Sequence, residues 1–197
     1  MFDKISLGYF SLFLVVLGGA PYLWSILANK TKPHAFTWLV WTLITAIAAA
    51  AQFAGHAGPG AWGTALTAAL CSIILVLAFT WRGERTYTRG DWISLVLALS
   101  SIPLWYLTKS ALVASIAATG IDVLAYYPNF RKSWAKPHEE MIVSYVITNL
   151  KHLISIMATV EYSVTTLVYP VTIFTVNAAL VVMLTLRRAR LKRAITD

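Results

Sequence analysis

Charge is what this sequence has least of. Of its 197 residues only 12% are Asp, Glu, Lys or Arg, while 58% are hydrophobic and the mean hydropathy is +0.69. A water-soluble domain cannot bury that much apolar surface, so the chain reads as an integral membrane protein. Acid is scarcer than base, 8 residues against 16. The resulting net charge of +8 does not mark a nucleic-acid binder, because the basic residues lie in short connections and at the C-terminus rather than on one soluble face. Their expected partner is the anionic inner leaflet of a bilayer. The single cysteine, Cys71, sits in an apolar run, which excludes an intramolecular disulfide and reads as a small buried side chain. Also missing are a glycine-rich phosphate loop, a serine-histidine-acid set and histidines at metal-ligand spacing. No nucleotide, cofactor or metal is therefore expected, and no enzymatic activity.

What is present is a series of long apolar runs. A spanning helix needs about 20 largely apolar residues, and seven segments answer to that: 5–28, 35–55, 61–81, 92–107, 111–130, 141–159 and 163–186. The fourth is short. The first stays apolar through Ala28 with Asp3 beside Lys4, so it reads as a spanning helix rather than a secretory leader. Successive connections alternate in charge. "NKTKPH" carries Lys30 and Lys32, the next basic loop Arg82, Arg85 and Arg89, and "RKSWAKPHEE" carries Arg131, Lys132 and Lys136; the tail adds Arg187, Arg188, Arg190, Lys192 and Arg193. "GHAGPG", "TKS" and "ATVEYS" hold one lysine among them, Lys109. By the positive-inside rule the N-terminus is outside and the C-terminus cytoplasmic, in a multi-pass protein of the cell membrane.

The chain also repeats itself. Each half has a proline late in its first helix (Pro21, Pro128), a basic loop ending Lys-Pro-His (32–34, 136–138) and an aromatic residue eight positions past that loop's proline (Trp41, Tyr145). One intervening helix makes the two triplets enter the membrane from the same side, so they are parallel repeats. The expected architecture is all-α: seven transmembrane helices, with a first triplet over 1–82, a linker helix within 83–110, and a second triplet with the basic tail over 111–197. Such a chain resembles the SWEET and PQ-loop superfamily of small-solute transporters. The superfamily's proline-glutamine pair reads Pro21-Tyr22 and Pro128-Asn129 here, and Pro33 and Pro137 stand at the starts of the second and sixth helices. The resemblance implies a solute path between the triplets, a sugar as default solute, and a polar residue each from the third and seventh helices, at Ser72 and Asn177. Bacterial nicotinamide riboside carriers and a seven-helix sorting receptor share the architecture, which leaves a vitamin carrier and a ligand receptor as alternatives.

The residues themselves add a cluster. Asp122 is an acid in the middle of the fifth span, where an ionised carboxylate costs ~2.5 kcal/mol or more unless it pairs or faces the interior. Asp122, Tyr126 and Asn129 fall on one helix face; Tyr145, Asn149 and His152 make the same spacing in the sixth span, with Lys151 nearby. Two readings follow: an Asp122–Lys151 ion pair locking spans five and six together, or a site that binds solute or couples protons through His152. In span two, Trp41 and Gln52 lie along one polar face. Trp41 and Tyr145 are candidates to stack on a solute, while Trp38, nearer the helix end, reads as an interface anchor. Pro21 and Pro128 are candidate hinges, with a static kink as the plainer alternative. The expected partners are a small solute and the lipid bilayer, with no nucleic acid; a homo-oligomer is left open.

Overall fold

The computed structural model describes residues 3–83, 87 and 89–196. Arg85 lies outside the described residues, as do the side chains of Trp81, Arg82, Pro128, Asn129, Lys132, Glu139 and Arg193. The described chain is all-helical: α1 (Lys4–Leu27), α2 (Ala35–Ala54), α3 (Trp62–Leu77), α4 (Arg89–Thr108), α5 (Ala111–Ala135), α6 (Ile142–Ala158) and α7 (Val164–Thr196). Short turns of tighter or wider helix occupy Gly58–Ala61, Ala78–Arg82 and Pro137–Glu139. Five helical stretches are long and apolar enough to cross a membrane: Lys4–Leu27, Ala35–Ala54, Gly58–Thr80, Arg89–Thr108 and Val164–Lys192. The apolar parts of the other two, Ala111–Tyr127 and Ile142–Ala158, are shorter. These are the helices that carry Asp122, Lys151 and His152, and α6 with 17 residues reaches only about 26 Å.

Local chemistry sets several helix ends. Asp3 caps α1 by accepting from the backbone N–H of Ile5 (2.8 Å) and Ser6 (3.3 Å) and from the Ser6 hydroxyl (2.9 Å). These bonds hold its carboxyl below the ordinary 3.8. His34 caps α2 by accepting from the Thr37 N–H at 3.3 Å, so the first Lys-Pro-His sits at a helix start. The second sits in the turn Pro137–Glu139, and α6 begins only at Ile142. Three helices outrun their expected ends. α4 gains a polar first turn at Arg89, α5 runs on to Ala135, and α7 continues through the basic tail to Thr196, because Arg, Leu, Ala and Lys are all good helix formers. Arg188 of that extension donates to the carbonyls of Pro137 (2.9 and 2.7 Å) and Glu140 (2.6 Å), and Arg187 lies over the Trp134 ring.

Packing follows a regular order. α3 lies against both α1 and α2, and α7 against both α5 and α6. Between these groups α1 packs along α6 and α2 along α5, while α4 rests on α2 and α5. Three buried clusters hold these contacts: Leu7, Leu14, Ile154 and Ala158 between α1 and α6; Val40, Ile44, Leu95 and Ala118 among α2, α4 and α5; Ala48, Tyr169 and Ile173 between α2 and α7. Large apolar side chains elsewhere face outward, among them Phe13, Val96, Leu124 and Val182, as a lipid-facing surface requires.

One end of the bundle is closed by backbone. Val160 N–H donates to the Ala57 carbonyl (2.9 Å) and Glu161 N–H to that of His56 (3.3 Å), joining the α2–α3 loop to the α6–α7 loop. Lys4 Nζ from α1 donates to the carbonyls of Thr159 (2.8 Å) and Val160 (3.2 Å). Gly58 takes a left-handed φ of 58° at this junction, which glycine adopts at least cost. Gly60 is needed for another reason: an added Cβ would stand 2.2 Å from Thr159 Oγ1, 2.7 Å from Thr159 Cα and 2.8 Å from the Ser155 carbonyl oxygen. Only a bare backbone fits between these groups.

Candidate functional site

Away from that closed end, the six helices other than α4 part around a cavity of about 340 Å³. Its floor and walls include Val15, Gly18 and Gly19 of α1, Trp38, Trp41 and Thr45 of α2, and Thr67, Leu70 and Cys71 of α3. The other side is built from Asp122 and Tyr126 of α5, Tyr145, Thr148, Lys151 and His152 of α6, and Tyr169 of α7. A volume at the low end of ligand pockets suits one small molecule.

Its acid, lysine and histidine come from α5 and α6 alone. Asp122 and Lys151 are each 7% exposed and His152 is 1% exposed. Asp122 Oδ2 accepts a hydrogen bond from the Tyr169 hydroxyl at 3.0 Å. His152 lies edge-on to the same Tyr169 ring at 6.1 Å, and its Nδ1 has no hydrogen-bond partner among the described residues. Among the described residues, no carboxylate comes within 4.0 Å of Lys151 Nζ, Asp122 included. Of the two readings of this cluster, the direct Asp122–Lys151 contact is not formed here; Asp122 accepts from Tyr169 instead. The reason is geometric: α7 packs between α5 and α6 and holds them apart, so the two charges meet the same cavity from different sides.

The other residues singled out in the sequence divide into three groups. Trp41 and Tyr145 line the cavity, as does Trp38. Trp38 is part of the wall, packed edge-on to Trp41 at 5.2 Å and tilted on Tyr22 at 5.2 Å. Tyr145 is steered by its hydroxyl, which donates to Glu140 at 3.0 Å. Asn149 and Asn177 turn instead toward each other: their amides meet at 2.9 Å, and Asn177 Nδ2 donates to the Tyr145 carbonyl (2.8 Å), tying α7 to α6. Ser72 is spent on the Ala68 carbonyl of its own helix at 2.8 Å, and the adjacent Cys71 faces the cavity in its place. Gln52 is buried near the closed end with neither amide atom hydrogen-bonded, outside the cavity wall. Pro21 lies within α1 one turn beyond the cavity residues Gly18 and Gly19; α5 is helical through position 128.

Sequence reasoning passed over Tyr169 and the closed end. Tyr169 is followed by Pro170 inside α7, and a hydroxyl next to a helix-interrupting proline was the signal available. For the closed end it was the run of Gly58, Gly60 and Gly63 facing "ATV" of the other loop.

These features define an all-helical protein, with five helices apolar enough to lie in a membrane and a cavity bearing Asp122, Lys151 and His152 lined by six of its helices. Comparison with family models, with curated proteins and with solved structures finds no match.

Proposed function

We propose that the protein is a membrane transporter that moves a small polar solute by alternating access between two three-helix bundles, α1–α3 and α5–α7, joined by the linker helix α4. The observation that carries this reading is a charged cavity at the seam of the two bundles, closed toward one end by a backbone junction made by one loop from each. The packing order supports the parallel repeat. In each triplet the third helix lies against the other two, and exchanging the triplets maps the α1–α6 contact onto the α5–α2 contact. A two-fold of this kind lets one cavity be closed at either end by equivalent movements. The state described has the junction shut. The basic loops orient the N-terminus outside and the C-terminus in the cytoplasm of the cell-membrane protein, which makes the shut end the outer one. Pro21 and Pro128 are hinges in this scheme, since each removes a backbone hydrogen bond inside the first helix of its bundle.

Counterflow in proteoliposomes tests the reading. Purified protein should exchange labelled solute across the bilayer, and alanine at both Pro21 and Pro128 should slow that exchange while the protein stays folded. Saturable binding with no movement of label would contradict transport and favour a receptor.

A further inference from the structure

Resting on the transport reading, we infer that the cavity takes a small amino-acid-type zwitterion, its carboxylate toward Lys151 and its ammonium toward Asp122. The argument starts from two opposite charges that share a cavity and do not touch. Asp122 is held by one hydrogen bond from Tyr169, and Lys151 has no carboxylate within 4.0 Å among the described residues. A buried charge without a close partner costs several kcal/mol in low dielectric. A solute bearing both charges would give each side chain its counter-ion at once and add no net charge to the site. A simple anion would serve Lys151 alone, and a cation Asp122 alone.

A sugar suits the site less. Polyhydroxylated solutes need many side-chain donors and acceptors, and the threonine hydroxyls that reach this cavity already donate within their own helices. Thr45 donates to the Trp41 carbonyl (2.6 Å), Thr67 to that of Gly63 (2.8 Å), and Thr148 to that of Ser144 (3.0 Å). Asn149 and Asn177, the amides a sugar would use, bond to one another instead. The remaining wall is apolar and aromatic, with Leu14, Val15, Ile147 and Ile173 beside Trp38 and Trp41, a surface for an amino-acid side chain. The unpartnered Nδ1 of His152 adds one polar contact on the same wall.

Binding is tested apart from transport. The common L-amino acids are titrated calorimetrically into purified wild-type protein in detergent, followed by the amide and the N-acetyl derivative of each that binds, and by D-glucose. The expected result is binding of at least one amino acid. Its amide, which lacks the carboxylate, and its N-acetyl form, which lacks the ammonium, should each bind roughly thirtyfold more weakly or worse. Lys151→Met should abolish the preference for acid over amide. The inference is overturned if no amino acid binds, if the N-acetyl or amide form binds as tightly as the parent, or if glucose binds in their place. Zwitterion binding without counterflow would instead defeat the transport reading and leave this one standing, whereas glucose exchange unaffected by amino acids would do the reverse.

Discussion

At one end of the bundle two loops are joined carbonyl to amide, with glycine where any side chain would collide; at the other, six helices stand apart around charged and aromatic side chains. The shut end owes its shape to what is missing from Gly58 and Gly60. The cavity owes its character to side chains that the first bundle lacks: with Pro21 set against Pro128, Val15 occupies the place of Asp122, and with Trp41 against Tyr145, Ile47 and Ala48 occupy those of Lys151 and His152. Repetition of the backbone therefore supplies the moving parts, and departure from repetition supplies the chemistry.

Substitutions at the shut end should be felt most. Gly60→Ala forces a Cβ against the Thr159 backbone and Ser155 carbonyl, contacts that no rotamer change relieves. It should cost about 1–3 kcal/mol or more, read as a lower melting temperature in detergent. Gly120→Ala is the control: a Cβ there meets nothing within 4 Å, so stability should hold or rise by up to ~1 kcal/mol. Equal effects would erase the distinction between the ends.

At the cavity, Tyr169→Phe removes the hydrogen bond that Asp122 accepts from α7. It should cost about 1–3 kcal/mol, because a buried acceptor is left unpaired, and it should change amino-acid affinity as well. Asn177→Ala breaks the tie from α7 to Asn149 and the Tyr145 carbonyl. Its loss of stability should be similar, about 1–3 kcal/mol, yet affinity should hold, because Asn177 faces α6 rather than the cavity. A fall in affinity as large as that of Tyr169→Phe would return Asn177 to the binding site.

The helices, five of them long and apolar enough to span, and the place of Asp122, Lys151 and His152 on them were legible in the sequence, since hydropathy and helical spacing are local properties. What joins distant segments was not. Tyr169 reaches Asp122 from a helix 47 positions away in sequence, and no spacing rule links them. Gln52 and His152 both lie on polar helix faces, and the sequence does not say which end of the bundle is packed shut; the glycine contacts decide it. The sequence left open whether Asp122 and Lys151 pair directly or serve a site, because the position of α7 between their helices is a matter of packing order.

The smallest effect is expected outside the membrane. Asp3 accepts three hydrogen bonds at the start of α1, which lower its carboxyl below the ordinary 3.8. A lowered folded value means the stabilisation is present above the unfolded value and is lost as pH falls through the folded one. Asp3→Asn should therefore melt slightly below wild type at neutral pH, and the two melting curves should converge in strong acid. A gap that widens on acidification would refute this role.

The central claim, that solute passes between the two bundles by opening the shut end, is tested most directly by fastening that end. A Cβ added at Gly58 would lie 3.6 Å from Val160 Cβ, within the ~3.5–4.5 Å that a disulfide spans, although the left-handed backbone at 58 costs a cysteine ~1–2 kcal/mol. In a Cys71→Ala background, Gly58→Cys with Val160→Cys is oxidised, checked for complete cross-linking and for retained amino-acid binding, and assayed by counterflow in proteoliposomes. The account predicts that exchange stops in the cross-linked protein and returns on reduction; exchange continuing at the reduced protein's rate with the disulfide intact would contradict it.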